Sequence, residues 1–166
     1  MPIIHVKGDL LESDCNVIVH QANCFATMGG GIARQIAQRY PSVLKADRDY
    51  HIAIGDAARM GHYSYADVDG PHGTVKIINL YSQYNYGRGK QTNNMVFELG
   101  LDQILTTIKN CGQENIKVGL PFKIGCGLAG GDWNVIEAII ERLANQHNVD
   151  VYLYEFTPVA SKEYIN

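Results

Sequence analysis

The stretch VIVHQANCFATMGGGIARQIAQRY, residues 17–40, holds a strand, a glycine-rich loop and a helix in direct succession. Its first part is rich in valine and isoleucine, which is typical of a strand buried on both faces of a sheet. Its last part carries apolar residues at helical spacing from Ile32 to Tyr40, and Pro41 is expected to end that helix. Three consecutive glycines at 29–31 separate the two elements. This succession is typical of an α/β fold.

The same order recurs in the stretch IKVGLPFKIGCGLAGGDW, residues 116–133. An apolar strand leads into a second glycine-rich loop, and the helical pattern DWNVIEAIIERLANQ begins at Asp132. In parallel sheets the loops that follow the strands gather at one edge, which is where ligands bind. Both glycine-rich loops are therefore expected at the same edge of one sheet.

The remaining segments complete the predicted fold. Residues 92–112 form a predicted helix, with Cys111 and Gly112 as its end. The predicted strands are residues 3–8, 15–22, 61–70, 73–83, 116–122 and 149–156. Strands that alternate with helices predict a three-layer α/β/α sandwich with a mixed, largely parallel sheet. No linker or internal repeat interrupts the sequence, so we expect residues 1–166 to form a single domain.

Composition and charge exclude several classes of protein. The formal net charge is -3, with 46% hydrophobic and 19% charged residues, so no broad positive field attracts nucleic acids or membrane surfaces in general. The four cysteines lack CxxC pairs and zinc-ligand spacing. We therefore expect reduced thiols, no metal site and a cytoplasmic location. The beginning MPIIHVKGDLL does not resemble a signal peptide, and no segment is apolar enough to span a membrane.

A glycine-rich loop at the start of a helix has a specific physical use. The first backbone N–H groups of a helix lack partners within the helix, and the helix dipole is positive at that end. Glycine lets a ligand approach the backbone closely because it has no Cβ. Phosphate is the usual occupant of such a site. Two such loops at one edge of a sheet predict a clamp for a diphosphate group.

Four motifs in this order resemble the macro domains, a family that binds ADP-ribose. They are VKGDLL at 6–11, VHQANCFATMGGGIA at 19–33, IINLYSQ at 77–83 and IGCGLAGGDW at 124–133. The sequence is most similar to the branch that contains ADP-ribose-1''-phosphate phosphatases and terminal ADP-ribose hydrolases. The resemblance implies the sandwich fold and places the diphosphate of ADP-ribose between the two glycine-rich loops.

The resemblance also assigns binding roles. Asp9, after the first strand, matches the acidic residue that accepts a hydrogen bond from the adenine amino group. Asn23 matches an asparagine that faces the distal ribose, the sugar beyond the diphosphate, although such a residue also caps turns. Phe156 or its neighbour Tyr154 matches an aromatic residue that stacks on adenine. The phosphate loops match Met28, Gly29, Gly30, Gly31 and Ile32, and Gly125, Cys126, Gly127, Leu128 and Ala129.

Two residues are candidates for catalysis. His20 ends the second strand, where the phosphatase branch carries a histidine, and imidazole can serve as acid or base near neutral pH. A histidine held at a strand end by hydrogen bonds is the alternative. Asp132 precedes the last helix, where aspartate is also a favourable N-cap. If both roles are catalytic, the two side chains would flank one reacting group between the loops.

Departures from the family restrict the mechanism. Ala33 stands where one hydrolase branch carries an acidic residue, and Ala129 stands where the terminal hydrolases carry an aspartate. The lysine of the terminal hydrolases aligns near Asn85, and Lys90 lies out of register. A covalent lysine intermediate is therefore not expected.

The sequence leaves two classes of function open. The first is a hydrolase that acts at the distal ribose, removing phosphate from ADP-ribose-1''-phosphate or ADP-ribose from a modified protein or nucleic-acid end. The second is a non-catalytic reader of ADP-ribose. Neither requires a cofactor. ADP-ribose or a derivative is the expected ligand and a membrane is not an expected partner. We expect a monomer, although the sequence does not determine the oligomeric state.

Overall fold

The apolar strand β2, Val17–Ala22, is an inner strand of a six-stranded sheet. The structure is a computed structural model that describes residues 3–87, 89–127 and 129–156. The other strands are β1 (Ile3–Lys7), β3 (Tyr63–Gly70), β4 (Gly73–Tyr81), β5 (Val118–Pro121) and β6 (Val151–Glu155). Their order across the sheet is β1-β6-β5-β2-β4-β3. All neighbours pair in parallel except β3 and β4, which form an antiparallel hairpin.

Within the described part of the chain, four α-helices cover the two faces of the sheet. They are α1 (Gly31–Arg39), α2 (Pro41–Arg48), α3 (Asn94–Asn110) and α4 (Trp133–His147). Alternate β2 residues explain the two layers, because Ile18 packs in a cluster with α1 and α2 whereas Val17 and Val19 pack in a cluster with α3 and α4. The predicted three-layer sandwich with a mixed, largely parallel sheet is confirmed.

One helix was missed by the sequence patterns. Pro41 was expected to end the helix after the first glycine-rich loop, and α1 does end at Arg39. The same proline then occupies the first turn of α2, where its missing N–H costs nothing because that position has no partner within the helix. The expectation that Pro41 ends the first helix is therefore confirmed, and α2 is a further helix that the sequence patterns did not indicate. The extra helix brings Asp47 to the sheet, with consequences for the site described below.

The carboxyl ends of the five parallel strands open at one edge of the sheet. Asp9 lies just beyond β1, Phe156 just beyond β6, and the two glycine-rich loops follow β5 and β2. The topology thus collects at one edge the residues predicted to bind the ligand. Within the described ranges, no helix has the length and hydrophobicity needed to cross a membrane.

Candidate functional site

The first glycine-rich loop ends at the amino terminus of α1. Gly30 is the N-cap residue and makes no side-chain capping bond, so the first N–H groups of the helix remain free of a protein cap. Gly31 begins the helix with a φ of +54°, in the region that favours glycine. Met28 is buried and packs in the apolar cluster below the loop, so its side chain anchors the loop. The free N–H groups and the helix dipole favour an anion at this point.

The second glycine-rich loop is held by backbone contacts with the segment that connects β4 to α3. The N–H groups of Gln91 and Thr92 both donate to the carbonyl of Ala129, at 2.7 and 3.2 Å. Thr92 also donates from its hydroxyl to the carbonyl of Gly125, at 2.6 Å. A Cβ on Gly130 would lie 2.9 Å from the carbonyl oxygen of Gly89, so only glycine permits this approach. The two segments therefore form one packed unit.

Two cavities lie at this edge of the sheet. The large cavity has a volume of about 520 Å³, and residues 21–23, 27–31, 33, 47, 83, 86, 87, 125, 127 and 129 line it. The small cavity has a volume of about 180 Å³, and residues 9, 10, 31, 32, 35, 121, 122, 154 and 156 line it. Gly31 belongs to both walls, so the cavities meet at the start of α1. The two glycine-rich loops face each other across the large cavity.

The small cavity combines aromatic surface with one carboxylate. Tyr154 and Phe156 both line it, so the structure does not choose between the two aromatic residues that the sequence proposed. Phe122, which the sequence patterns did not indicate, adds a third ring and packs edge to face against Trp133. Asp9 accepts a hydrogen bond from the N–H of Leu11 at 2.9 Å through Oδ1. A flat aromatic ring system with an amino group fits this combination of surfaces.

Asn23 lies in the large cavity, but its side chain also shapes the loop. Its Oδ1 accepts from the N–H of Phe25 at 2.8 Å, and its Nδ2 donates to the hydroxyl of Thr27 at 2.7 Å. The turn-capping role that the sequence left as an alternative is therefore present. Of the other predicted phosphate-loop residues, Cys126 lines neither cavity and packs against the apolar core. Leu128 lies outside the described residues.

Comparison with known proteins decides the family. The chain is 46% identical over 181 residues to an ADP-ribose 1''-phosphate phosphatase from Saccharomyces cerevisiae, covering 90% of this chain and 97% of the yeast protein. The structure is similar to that of the macrodomain of Mycobacterium tuberculosis DarG, with a TM-score of 0.68 at 26% identity and with 94% and 97% of the two chains covered. The chain belongs to the macrodomain family. The predicted resemblance is confirmed.

A third relative widens the range of chemistry among related macrodomains. The chain is 27% identical over 158 residues to a DNA ADP-ribosyl glycohydrolase from Mycobacterium tuberculosis. The alignment covers 92% of this macrodomain but only 42% of the glycohydrolase. No protein-family model matches the sequence.

His20 is placed away from both cavities of this macrodomain. Its side chain is fully buried on the face of the sheet that packs against α1 and α2, and Nε2 lies 2.5 Å from Oδ1 of Asn79. The amide nitrogen of Asn79 donates to Ser64, so Oδ1 is left to accept and Nε2 of His20 is the donor. Burial lowers the pKa of His20 to about 4, and the hydrogen bond to Asn79 opposes that shift. This arrangement is the hydrogen-bonded strand-end histidine that the sequence left as an alternative.

The buried imidazole of His20 predicts how the free energy of unfolding depends on pH. A folded-state pKa of about 4 lies below the ordinary value of about 6.5, so protonation favours the unfolded chain. The stabilising contribution is complete above pH 6.5 and is lost progressively as the pH falls from 6.5 to 4. Between pH 7 and pH 5 we expect the wild type to lose about 2 kcal/mol more unfolding free energy than His20→Gln does.

Urea unfolding at the two pH values measures this difference. His62→Gln is the matched control, because it makes the same chemical change at an exposed histidine. Equal losses for the wild type and His20→Gln would contradict the buried, neutral state of His20.

Asp132 is the N-cap of α4. Its Oδ1 accepts from the N–H of Asn134 at 3.0 Å, and its side chain is exposed beyond the second glycine-rich loop. It lines neither cavity of the macrodomain. The capping role that the sequence left open is thus present, and the structure does not bring Asp132 and His20 together around the large cavity.

Polar side chains that the sequence patterns did not indicate line the large cavity instead. Nε2 of Gln21 donates to Oε1 of Gln83 and to the hydroxyl of Thr92, both at 2.8 Å. Ser82 donates to Oε1 of Gln21 at 2.6 Å. A glutamine after a strand-end histidine gives little signal by itself, although strand alternation predicts that it faces the opposite side of the sheet. The cluster fixes the floor of the cavity between the two glycine-rich loops.

A buried ion pair completes the site. Asp47 and Arg59 are both fully buried, and Nη1 of Arg59 lies 3.0 Å from Oδ1 of Asp47. Tyr81 donates to the same oxygen at 2.7 Å. Burial raises the pKa of Asp47, and the hydrogen bond from Tyr81 and the charge of Arg59 oppose that rise. Asp47 also lines the large cavity, so the pair links the cavity wall to the core.

Proposed function

We propose that this macrodomain binds ADP-ribose and hydrolyses derivatives of it at the distal ribose. The main support for this proposal is the pair of cavities that meet at Gly31, with the glycine-rich loops on both sides of the larger one. Adenine would occupy the small cavity beside Asp9, and the diphosphate would lie between the loops. The distal ribose would then lie in the part of the large cavity near Asn23 and Gln83.

The names of the relatives support a hydrolase and give two candidate substrates. The yeast relative is an ADP-ribose 1''-phosphate phosphatase, and the mycobacterial relative is a DNA ADP-ribosyl glycohydrolase. The substrate proposed here is accordingly ADP-ribose with a phosphate at the 1'' position, or ADP-ribose attached to a nucleic-acid end or a protein. In each case water replaces the group attached at the distal ribose.

The chain's own residues bind and orient the ligand in this proposal. The backbone N–H groups at the start of α1 would bind phosphate oxygens. The side chains of Gln21 and Gln83 would hold the distal end in place. The catalytic roles of His20 and Asp132 stay predictions, because neither side chain lines a cavity, and no proton transfer is assigned to them.

A reader of ADP-ribose is the second candidate. One observation favours it: among the described residues that line the large cavity there is no histidine, lysine or arginine. A site without such groups can bind a diphosphate through backbone N–H groups alone. Turnover therefore has to be measured and not assumed from binding.

We further propose that residues 1–166 form one domain, that the protein is a monomer and that it is located in the cytoplasm. The four cysteines are unpaired, which supports a reducing compartment. The continuous six-stranded sheet, in which the first and last strands pair, supports one domain.

Turnover assays on two substrates, run side by side, test the proposal. ADP-ribose-1''-phosphate reports phosphate release, and an ADP-ribosylated oligonucleotide reports glycohydrolase activity. Turnover of either substrate by the wild type, with loss in the Gly30→Glu variant described below, supports the hydrolase. The protein would instead be a non-catalytic reader of ADP-ribose if it bound ADP-ribose tightly but turned over neither these substrates nor an ADP-ribosylated protein.

Asp9→Asn is expected to weaken the binding of ADP-ribose about 10- to 100-fold, because the replacement puts an amide donor where an acceptor should face the adenine amino group. The amide oxygen can still accept from the N–H of Leu11, so the local turn is kept. Titration calorimetry should give the same loss for ADP, and no loss for ribose 5-phosphate, which lacks adenine. A loss for all three ligands would point to a structural role instead.

A further inference from the structure

Asp47 is a buried carboxylate in the wall of the large cavity. It lies near the end of α2, the helix that begins at Pro41, and none of its surface is exposed to bulk solvent. Ala33, one helix earlier, lines the same cavity with a methyl group only. Among the described residues that line this cavity, Asp47 is the only one with a carboxylate, and Tyr86 is the only other with a titratable side chain.

One oxygen of this carboxylate is fully engaged within the protein. Oδ1 accepts from the hydroxyl of Tyr81 at 2.7 Å and from Nη1 of Arg59 at 3.0 Å. Arg59 is fixed in turn by its donation from Nε to the carbonyl of Ile52 at 2.8 Å. Tyr81 also contacts the hydroxyl of Ser64 at 2.7 Å. These contacts lock the orientation of the carboxylate, so the position of the second oxygen is fixed as well.

The second oxygen, Oδ2, has no hydrogen-bond partner in the protein. Buried carboxylate oxygens are normally hydrogen-bonded, because an unpaired one gives up its hydration without replacement. The hydroxyl of Tyr81 and Nη1 of Arg59 donate to Oδ1, and Nη2 of Arg59 is itself buried without a partner. No described protein group donates to Oδ2, and Asp47 lines the large cavity, so a ligand bound there can supply the missing donor.

The order of the strands shows which part of the ligand lies near Asp47. Asp9 and Phe156 follow the outer strands β1 and β6, and these residues line the small cavity. Asp47 contacts Tyr81 at the carboxyl end of β4, on the other side of β2 and of both glycine-rich loops. A ligand with its base in the small cavity and its diphosphate between the loops therefore presents its distal end to Asp47.

We propose that Oδ2 of Asp47 accepts a hydrogen bond from a hydroxyl group of the distal ribose, an inference that rests on the proposed function. A sugar hydroxyl supplies the O–H donor that Oδ2 lacks, and bonds to a charged acceptor are stronger than neutral ones. A phosphate group would be repelled at this point by the negative charge. Asp47 thus makes its own part of the cavity wall select a hydroxyl group of the sugar over a phosphate oxygen.

Asp47→Asn tests the oxygen directly, because the amide oxygen can keep the bonds from Tyr81 and Arg59 while an amide donor replaces Oδ2. Titration calorimetry with ADP-ribose and with ADP, which lacks the distal ribose, separates the two ends of the ligand. We expect Asp47→Asn to weaken ADP-ribose about 10- to 100-fold and to leave ADP within about twofold. Asp9→Asn is the matched control, since it should weaken both ligands by the same factor.

Equal changes for the two ligands in Asp47→Asn, or no change for either, would overturn this inference while the proposed function stands. A wild type that does not bind ADP-ribose would overturn both. A second measurement needs no variant: the wild type should bind ADP-ribose at least about tenfold more tightly than ADP. Equal affinities for ADP-ribose and ADP would also overturn the role of Asp47, even if Asp47→Asn failed to fold.

Discussion

The Gly30→Glu variant is expected to bind ADP-ribose at least about 100-fold more weakly than the wild type. Gly30 caps α1 and lines the large cavity between the two glycine-rich loops. A glutamate there would place a carboxylate and added bulk where a phosphate group should lie, and like charges at such short range cost several kcal/mol. The backbone of Gly30 is extended, with φ −142° and ψ 159°, so the variant should fold without backbone strain.

Gln38→Glu is the matched control for this variant. Gln38 lies on the same helix, is exposed and lines neither cavity. A glutamate at this position therefore adds the same charge outside the site. Titration calorimetry should show near wild-type affinity for Gln38→Glu. A folded Gly30→Glu protein that binds ADP-ribose normally would show that the diphosphate does not lie between the loops.

Arg59→Met is expected to lower the free energy of unfolding by about 3–5 kcal/mol. Arg59 is fully buried, and its removal leaves the buried carboxylate of Asp47 without its charge partner. The guanidinium group also lies 5.0 Å from the ring centre of Tyr81 and 5.6 Å from that of Tyr50, and these contacts would be lost as well. Methionine fills part of the space, so the loss reports mainly the unpaired charge.

Lys45→Met provides the comparison for an exposed ion pair. Lys45 pairs with Asp49 on the outer surface of α2, where solvent screens the charges. Replacing this exposed cation with methionine should leave the free energy of unfolding almost unchanged. Urea unfolding of the wild type and both variants measures the two changes in the free energy of unfolding. A similar small effect for Arg59→Met would mean that Asp47 finds another partner or becomes protonated.

Local patterns were sufficient to predict the layers, the strands and the two glycine-rich loops. Each of these features follows from residues that are neighbours in the sequence: an apolar run, a set of glycines and a helical repeat. The topology then brings most of the predicted binding residues to one edge, so Asp9, Gly30 and Phe156 all line the cavities. The helix that begins at Pro41 was missed, because proline can both end one helix and begin another.

The side-chain chemistry of the site was harder to predict, because it depends on contacts between distant segments. Nothing near His20 in the sequence reveals that it is fully buried, or that Asn79, which also donates to Val43 of α2, lies beside it in the sheet. Asp47 looks like an ordinary helical aspartate until Arg59 and Tyr81 are seen around it. Strand alternation alone, however, separates Gln21 from His20 and would have placed the glutamine on the opposite face.

The backbone contacts between the second glycine-rich loop and the segment from β4 to α3 limit how this protein can be redesigned. The carbonyl of Ala129 binds two N–H groups of that segment, and Gly130 packs against Gly89. Replacing only one of these two segments with the matching segment of a relative would disrupt the backbone contacts that join it to the other. A chimera with a new substrate range would have to carry both segments together. Exchanges of single side chains, such as Gln83 or Tyr86, offer the simpler path to altered selectivity.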